Sequence, residues 1–234
     1  MIICLETSGP VCSVALCSRD GVVGLRESND ERSHAARLTV YVKELLAEAG
    51  IKAADLSAVA VSKGPGSYTG LRIGVSAAKG IAYGASIPLI GIGTTLSMYN
   101  GISDEEIQRF GLGHDSLLIP AIDARRMEVY YSVLSRDGKI IKDVSADIIG
   151  EESFLDIPEE IRILIFGDGA FKCSQVMKRS NTVFFGGFRV SAAHMHKPSY
   201  EALKAHRFED TAYFEPFYLK DFITSQPKKN ILGK

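Results

Sequence analysis

A surplus of basic charge is missing from this chain: 27 Lys and Arg stand against 28 Asp and Glu over 234 residues, for a net charge of −1. Proteins that bind nucleic acid regardless of sequence present a basic excess to the phosphates, so any nucleic-acid role has to come through partners. Cysteine is scarce and unpatterned. Cys4, Cys12, Cys17 and Cys173 form no C-x-x-C pair, and three of them lie in apolar runs, where free cysteine packs as a small hydrophobe; this suits a reducing compartment. No apolar run approaches the ~20 residues of a membrane span. Glu6 interrupts the apolar opening before an n-region and h-region can form, so a cytoplasmic protein is expected. The histidines, His34, His114, His194, His196 and His206, include no H-E-x-x-H and no pair with an acid at ligand spacing, which leaves no metal site. The pair His194 and His196, with no acid or cysteine beside it, is assigned to the surface. A G-x-S-x-G elbow is also absent, and with it the usual signal of a nucleophilic serine.

What is present is a chain with 46% hydrophobic residues, enough for a sizeable core in one large domain or two small ones. Strands are expected at 2–7, 11–18 and 22–27, the last two joined by Asp20-Gly21, a hairpin signal. Ser33 is placed to cap a helix over 34–49, where Leu38, Val42, Leu45 and Ala49 recur at helical steps and Gly50 ends the run. Strand 58–62, helix 70–84 and strand 89–92 follow. This order predicts a mixed sheet flanked by helices. A polar stretch around Ser103 to Glu106 and His114-Asp115 separates residues 1–100 from 101–234. The second part restarts with strands 117–122, 128–135 and 139–148, the latter two joined by Asp137-Gly138. It echoes the first part closely enough for a degenerate internal duplication. Strand 163–166, helices 170–179 and 199–206, a final strand over 213–219 and a polar tail at Gln226 to Asn230 complete the expected order.

The most informative stretch is Lys63-Gly64-Pro65-Gly66-Ser67-Tyr68-Thr69-Gly70-Leu71-Arg72, a glycine-dense turn between a buried strand and a helix. Amides at a helix start attract anions. The spacing of Gly64, Gly66 and Gly70 nevertheless fits neither a dinucleotide loop nor a P-loop, which would need lysine where Leu71 and Arg72 stand. A tight turn capped by Ser67 or Thr69 weighs evenly against an anion site on the residues alone.

The run from Lys63 to Gly84 resembles the signature of the TsaB (YeaZ) family. So do Ile3 to Ser8 with Cys12 to Leu16, Asp123 to Tyr130, and Pro216 to Leu219, so the likeness spans nearly the whole chain. It departs at Glu6, where the family commonly has aspartate. The resemblance implies a two-lobe α/β fold of the actin, Hsp70 and sugar-kinase type, built of ribonuclease-H-like halves. It implies a non-catalytic partner of TsaD, the transferase that forms N6-threonylcarbamoyladenosine at position 37 of tRNAs reading ANN codons. A TsaE-like ATPase is implied as a third component, and a homodimer through the same helices. No cofactor is expected to bind tightly, with ATP or ADP and Mg at a partner interface, and tRNA is expected to be contacted only indirectly. TsaD carries paired metal-ligating histidines on the helix that corresponds to 34–49, whereas this chain has only His34 there.

The two principal helices each carry more apolar surface than one sheet needs. The family's mode of pairing assigns Leu38, Tyr41, Val42, Leu45, Leu71, Gly74, Val75, Ala78 and Ala82 to a docking face. Residues at strand ends, Glu6, Thr7, Ser8, Asp123, Gly167, Asp168 and Gly169, are the nucleotide candidates of the alternative reading, a stand-alone actin-like ATPase or small-molecule kinase. The simpler account is that Asp168 only makes a turn and that Asp123 pairs with Arg125 or Arg126.

Overall fold

The computed structural model describes residues 1–29 and 34–219. Ser33 as a helix cap and the polar tail at Gln226 to Asn230 lie outside the described residues. In the first sheet β1 (Ile2–Glu6), β2 (Cys12–Cys17), β3 (Val22–Ser28), β4 (Ala58–Gly64) and β5 (Leu89–Gly93) run in the order β3-β2-β1-β4-β5. Hairpins make β1, β2 and β3 antiparallel, while helical crossovers make β1, β4 and β5 parallel. β1 and β2 are buried throughout, which is why they read as continuous apolar runs rather than alternating ones.

Helices α1 (His34–Glu48) and α2 (Tyr68–Ala85) cover one face of this sheet. After β5 come α3 (Thr94–Gly101) and α4 (Asp104–Arg109), neither expected from the sequence. α4 forms in the polar stretch because Ser103 and Glu106 make a capping box. The second sheet holds β6 (Leu117–Asp123), β7 (Glu128–Ser135), β8 (Ile140–Ile148), β9 (Ile163–Phe166) and β10 (Thr182–Phe185) in the order β10-β9-β6-β7-β8. Strand for strand this repeats the first sheet, with the same parallel and antiparallel pairs. The molecule is therefore a duplicated, two-lobe ribonuclease-H-like α/β fold. The second copy is the poorer one: α5 (Gly169–Val176) stands where α2 stands in the first, but residues 149–162 join β8 to β9 through turns, without a counterpart of α1.

The C-terminal part returns to the first lobe. A 3-10 turn at Ala192–Met195 and α6 (His196–Lys204) place Ala192, Met195 and Ala202 on the open face of the first sheet, against Ile2, Cys4, Ala60 and Ile90. α6 starts three residues before its expected position and holds Pro198 in its first turn, where proline is tolerated. Residues 213–219 form no strand, contrary to expectation. They cross α2 as an extended strap because Phe214 is buried in the α1 and α2 core, a gain of about 1.5–3 kcal/mol for a fully buried phenylalanine. Lys79 Nζ donates to Ala212 O and Phe214 O at 3.1 and 3.0 Å. All four cysteines are buried free thiols, and no described helix is long and apolar enough to cross a membrane.

The lobes meet around α3, whose Met98 packs with Leu118, Phe166 and Phe188 while Thr94 bonds back to Ser62 of β4. His194, assigned to the surface by sequence, is wedged into this joint. Its ring lies 5.2 Å from that of Phe188, and a side chain at Gly101 would start 2.3 Å from Nδ1. Nδ1 is buried without a hydrogen-bond partner among the described residues. Burial lowers the His194 pKa, while Glu27 and Glu106 oppose the shift. A neutral imidazole in the folded state means that the folded chain binds fewer protons than the unfolded one. The stability from His194 is then complete above its ordinary pKa of 6.5 and declines as pH falls below it. Denaturant midpoints from pH 8 to 5 should show a steeper acid loss in the wild type than in His194→Gln.

Candidate docking face and a closed cleft

The glycine turn after β4 is filled by the protein itself. Ser67 caps α2 by accepting from Gly70 N at 3.3 Å, its own amide donates to Ser8 O at 2.7 Å, and Thr7 Oγ1 donates to Gly70 O at 2.7 Å. A Cβ at Gly70 would stand 1.9 Å from Thr7 O. The glycines therefore let the turn after β1 press against the first turn of α2. Backbone carbonyls of Thr7 and Ser8 lie where an anion would approach the positive helix end, and of the two sequence readings the capped turn is the one formed.

Each of the acids proposed for a nucleotide makes at least one contact within the chain. Glu6 is fully buried; its Oε1 accepts from Ser8 N at 2.6 Å. Burial raises the Glu6 pKa, and the neighbouring Ser8 and Ser62 hydroxyls pull it partly back. Asp123 pairs with Lys172 (2.7 Å), not with a guanidinium of Arg125 or Arg126; Lys172 also donates to Glu128 O at 2.9 Å. Arg125 contributes its backbone amide, 2.6 Å from Asp123 Oδ1. Asp168 Oδ1 accepts from Asp123 N at 2.9 Å. Crowding around its carboxyl raises the Asp168 pKa, with the Asp123 charge adding to the shift, but the residue is exposed to solvent, which screens both effects. Of the seven candidates Ser8, Gly167 and Asp168 line the cavity between the lobes, with Met98, Phe188 and Arg189 around them; Glu6, Thr7, Asp123 and Gly169 do not. The cavity measures about 50 Å³, against the roughly 300–1,000 Å³ of small-molecule pockets. A magnesium nucleotide does not fit this arrangement. Among the described residues there is also no cluster of three or more His, Cys, Asp and Glu that could hold a metal. Lys172, the ammonium that neutralises Asp123, had no signal in the sequence because the two lie 49 positions apart.

The helix residues assigned to docking require a correction. Leu38, Tyr41, Val42, Leu45, Leu71, Val75, Ala78 and Ala82 are 0–8% exposed and Gly74 is buried too. Seven of them pack with the first sheet and one another, Gly74 lies against Thr7 and Val61, and Leu71 against Gly64, so they are core, not surface. The outer side of the pair carries instead a groove of about 410 Å³, lined by Thr39, Val42, Lys43, Leu46, Ala47, Ile51 and Ile81. Only Val42 belongs to both sets. α1 is held at its outer edge by Arg26 of β3, whose guanidinium pairs with Glu44 at 3.4 Å and also with Glu48. Helical spacing does mark Leu46 and Ala47 as a continuation of the apolar stripe; which stripe the sheet takes is decided only by packing.

Two stability predictions follow from this placement. Gly70→Ala should cost about 3 kcal/mol, since backbone meets backbone at Thr7 and the helix-propensity gain of ~1 kcal/mol offsets only part; urea midpoints measure it. Val75→Asp should unfold the chain or cost at least ~3 kcal/mol through an unpaired buried carboxylate, whereas Ala47→Asp, on the groove rim, should leave circular dichroism and melting unchanged within about 0.5 kcal/mol.

Comparison with known proteins follows the same lines. A family model described as "TsaD: tRNA N6-adenosine threonylcarbamoyltransferase" matches residues 22–227. The tRNA threonylcarbamoyladenosine biosynthesis protein TsaB of Haemophilus influenzae is 33% identical over 176 residues, 73% of this chain and 70% of that protein. Its namesake from Escherichia coli is 36% identical over 136 residues, 58% of this chain and 55% of that protein's length. A solved structure from Pseudomonas aeruginosa, described as an uncharacterized protein with similarity to peptidase YEAZ, superposes with a TM-score of 0.77 at 23% identity. That superposition covers 94% of this chain and 99% of the other.

Proposed function

From the premise that this chain belongs to the TsaB (YeaZ) family, we propose that it is a non-catalytic partner of a TsaD-like transferase. The reaction served is formation of N6-threonylcarbamoyladenosine at position 37 of tRNAs reading ANN codons, in the cytoplasm. The observation that carries this reading is the groove of about 410 Å³ on the outer side of α1 and α2, set on a lobe whose glycine turn and helix start are already filled by the chain itself. A molecule built this way offers a surface and little chemistry. Val42, Leu46, Ile51 and Ile81 give the groove an apolar floor, and Lys43 a charged rim, the make-up of a helix-docking site.

The same face supports a homodimer when the transferase subunit is absent. A TsaE-like ATPase completes the assembly, and ATP or ADP with Mg belongs at a partner interface and not in the narrow cleft of this chain. With a net charge of −1 this subunit supplies no phosphate-binding excess, so tRNA is held by the partner.

The test is reconstitution of the transferase subunit, the ATPase and the adenylate-forming enzyme with and without this chain, read by nucleoside mass spectrometry. Modification should depend on the chain, and Ala47→Asp, folded as wild type, should lower both capture of the transferase subunit and modified nucleoside at least tenfold. Equal modification without the chain, or undiminished capture by Ala47→Asp, would count against the reading. Purified alone, the protein should hydrolyse ATP no faster than Asp123→Asn.

A further inference from the structure

A buried group of oxygens below the glycine turn has no use in the docking role. Glu6 is fully buried and its Oε2 has no hydrogen-bond partner among the described residues. Ser97 Oγ, in a residue 1% exposed, is likewise without one, and Ser8 Oγ, in a residue 2% exposed, lies close enough to the Glu6 carboxyl to act on it. Ser62 and Thr94, both fully buried, share one hydroxyl contact of 2.9 Å, and Ser62 lies close enough to Glu6 to act on its carboxyl. Ser97 follows Thr94 by one turn on the same side of α3. None of the ion pairs among the described residues involves Glu6. A buried carboxylate without a cation, ringed by hydroxyl oxygens, is strongly disfavoured unless something positive neutralises it.

We propose that Glu6, Ser8, Ser62 and Thr94, with Ser97 beside them, bind one dehydrated alkali cation, K⁺ or Na⁺. Every donor is a hard oxygen, which suits such ions and not soft metals. The site offers a single negative charge, which matches a monovalent ion. Mg²⁺ holds on to several waters, and the adjoining cavity lined by Ser8 and Met98 measures only about 50 Å³, the room of one or two water-sized bodies. The ion would join the turn after β1, strand β4 and helix α3 at one point, and so brace the seat of α2 and the lobe joint together. This inference stands apart from the partner role and survives or fails independently of it.

The experiment compares unfolding of the full chain in KCl, NaCl and N-methylglucamine chloride at matched ionic strength. For a site half-filled at roughly 10 mM, about 100 mM of the preferred ion should raise the folded-to-unfolded ratio about tenfold over N-methylglucamine. Glu6→Gln should abolish that response and Ser97→Ala should weaken it. Crystals of the wild type soaked in Tl⁺ should show an anomalous peak within the oxygen cluster, which keeps the inference testable if Glu6→Gln does not fold. Identical unfolding in all three salts, an undiminished ion response in Glu6→Gln, or no Tl⁺ peak at the cluster would overturn it and leave a proton as the group that neutralises Glu6.

Discussion

The contact on which the rest of the structure depends is the one between the turn after β1 and the first turn of α2. Ser67 N donates to Ser8 O, and Thr7 Oγ1 donates to Gly70 O, so a strand end and a helix start satisfy one another's unpaired backbone groups. That contact fixes α2 in rotation and in height on the sheet. Once α2 is fixed, Val75, Ala78 and Ala82 are committed to the core with Leu38 and Leu45 of α1, and Ile81 is left on the outer groove with Leu46 and Ala47. A loop composition associated with phosphate binding thus serves to bring two pieces of backbone together.

Duplication followed by unequal decay explains where the apolar groove sits. Both sheets keep the same strand order, but only the first keeps two long helices on one face. The second lobe ties its turn-and-helix junction together with Lys172, Asp123 and Asp168, an ion pair and a backbone hydrogen bond that join β6 to α5. One copy presents a surface and the other supports it.

Much of the fold was legible because its main elements are long and periodic. The hairpin turns at Asp20-Gly21 and Asp137-Gly138, the strand at 58–62 and the helices at 34–49 and 70–84 all follow from local patterns. α3, α4 and β10 were not, since eight, six and four residues carry too little periodicity to register. The aromatic residues Tyr213, Phe214, Phe217 and Tyr218 imitate a strand, but Phe214 is buried, Tyr213 is 85% exposed, and the segment is tied down by bonds from Lys79 and Arg72 and to Lys63 O and not by a strand ladder. The candidate site was legible only in part. Sequence identifies α1 and α2 as over-apolar helices, yet the direction each stripe faces depends on the seating of α2 against Thr7 and Ser8, contacts that span some 60 residues of chain. A separation of 49 positions likewise hides the pairing of Lys172 with Asp123.

The return of residues 191–219 to the first sheet has a consequence for synthesis. Ile2, Cys4, Ala60 and Ile90 present an apolar face whose cover, Ala192, Met195 and Ala202, is translated long after the strands it covers. A nascent chain that has completed β1 through β5 therefore waits for about a hundred further residues with one side of its sheet bare, during which the second lobe can fold as a unit. The first lobe is thus closed only once α6 has emerged, and a chain that stops short of α6 would leave the ribosome with that hydrophobic surface open to chaperones or to aggregation.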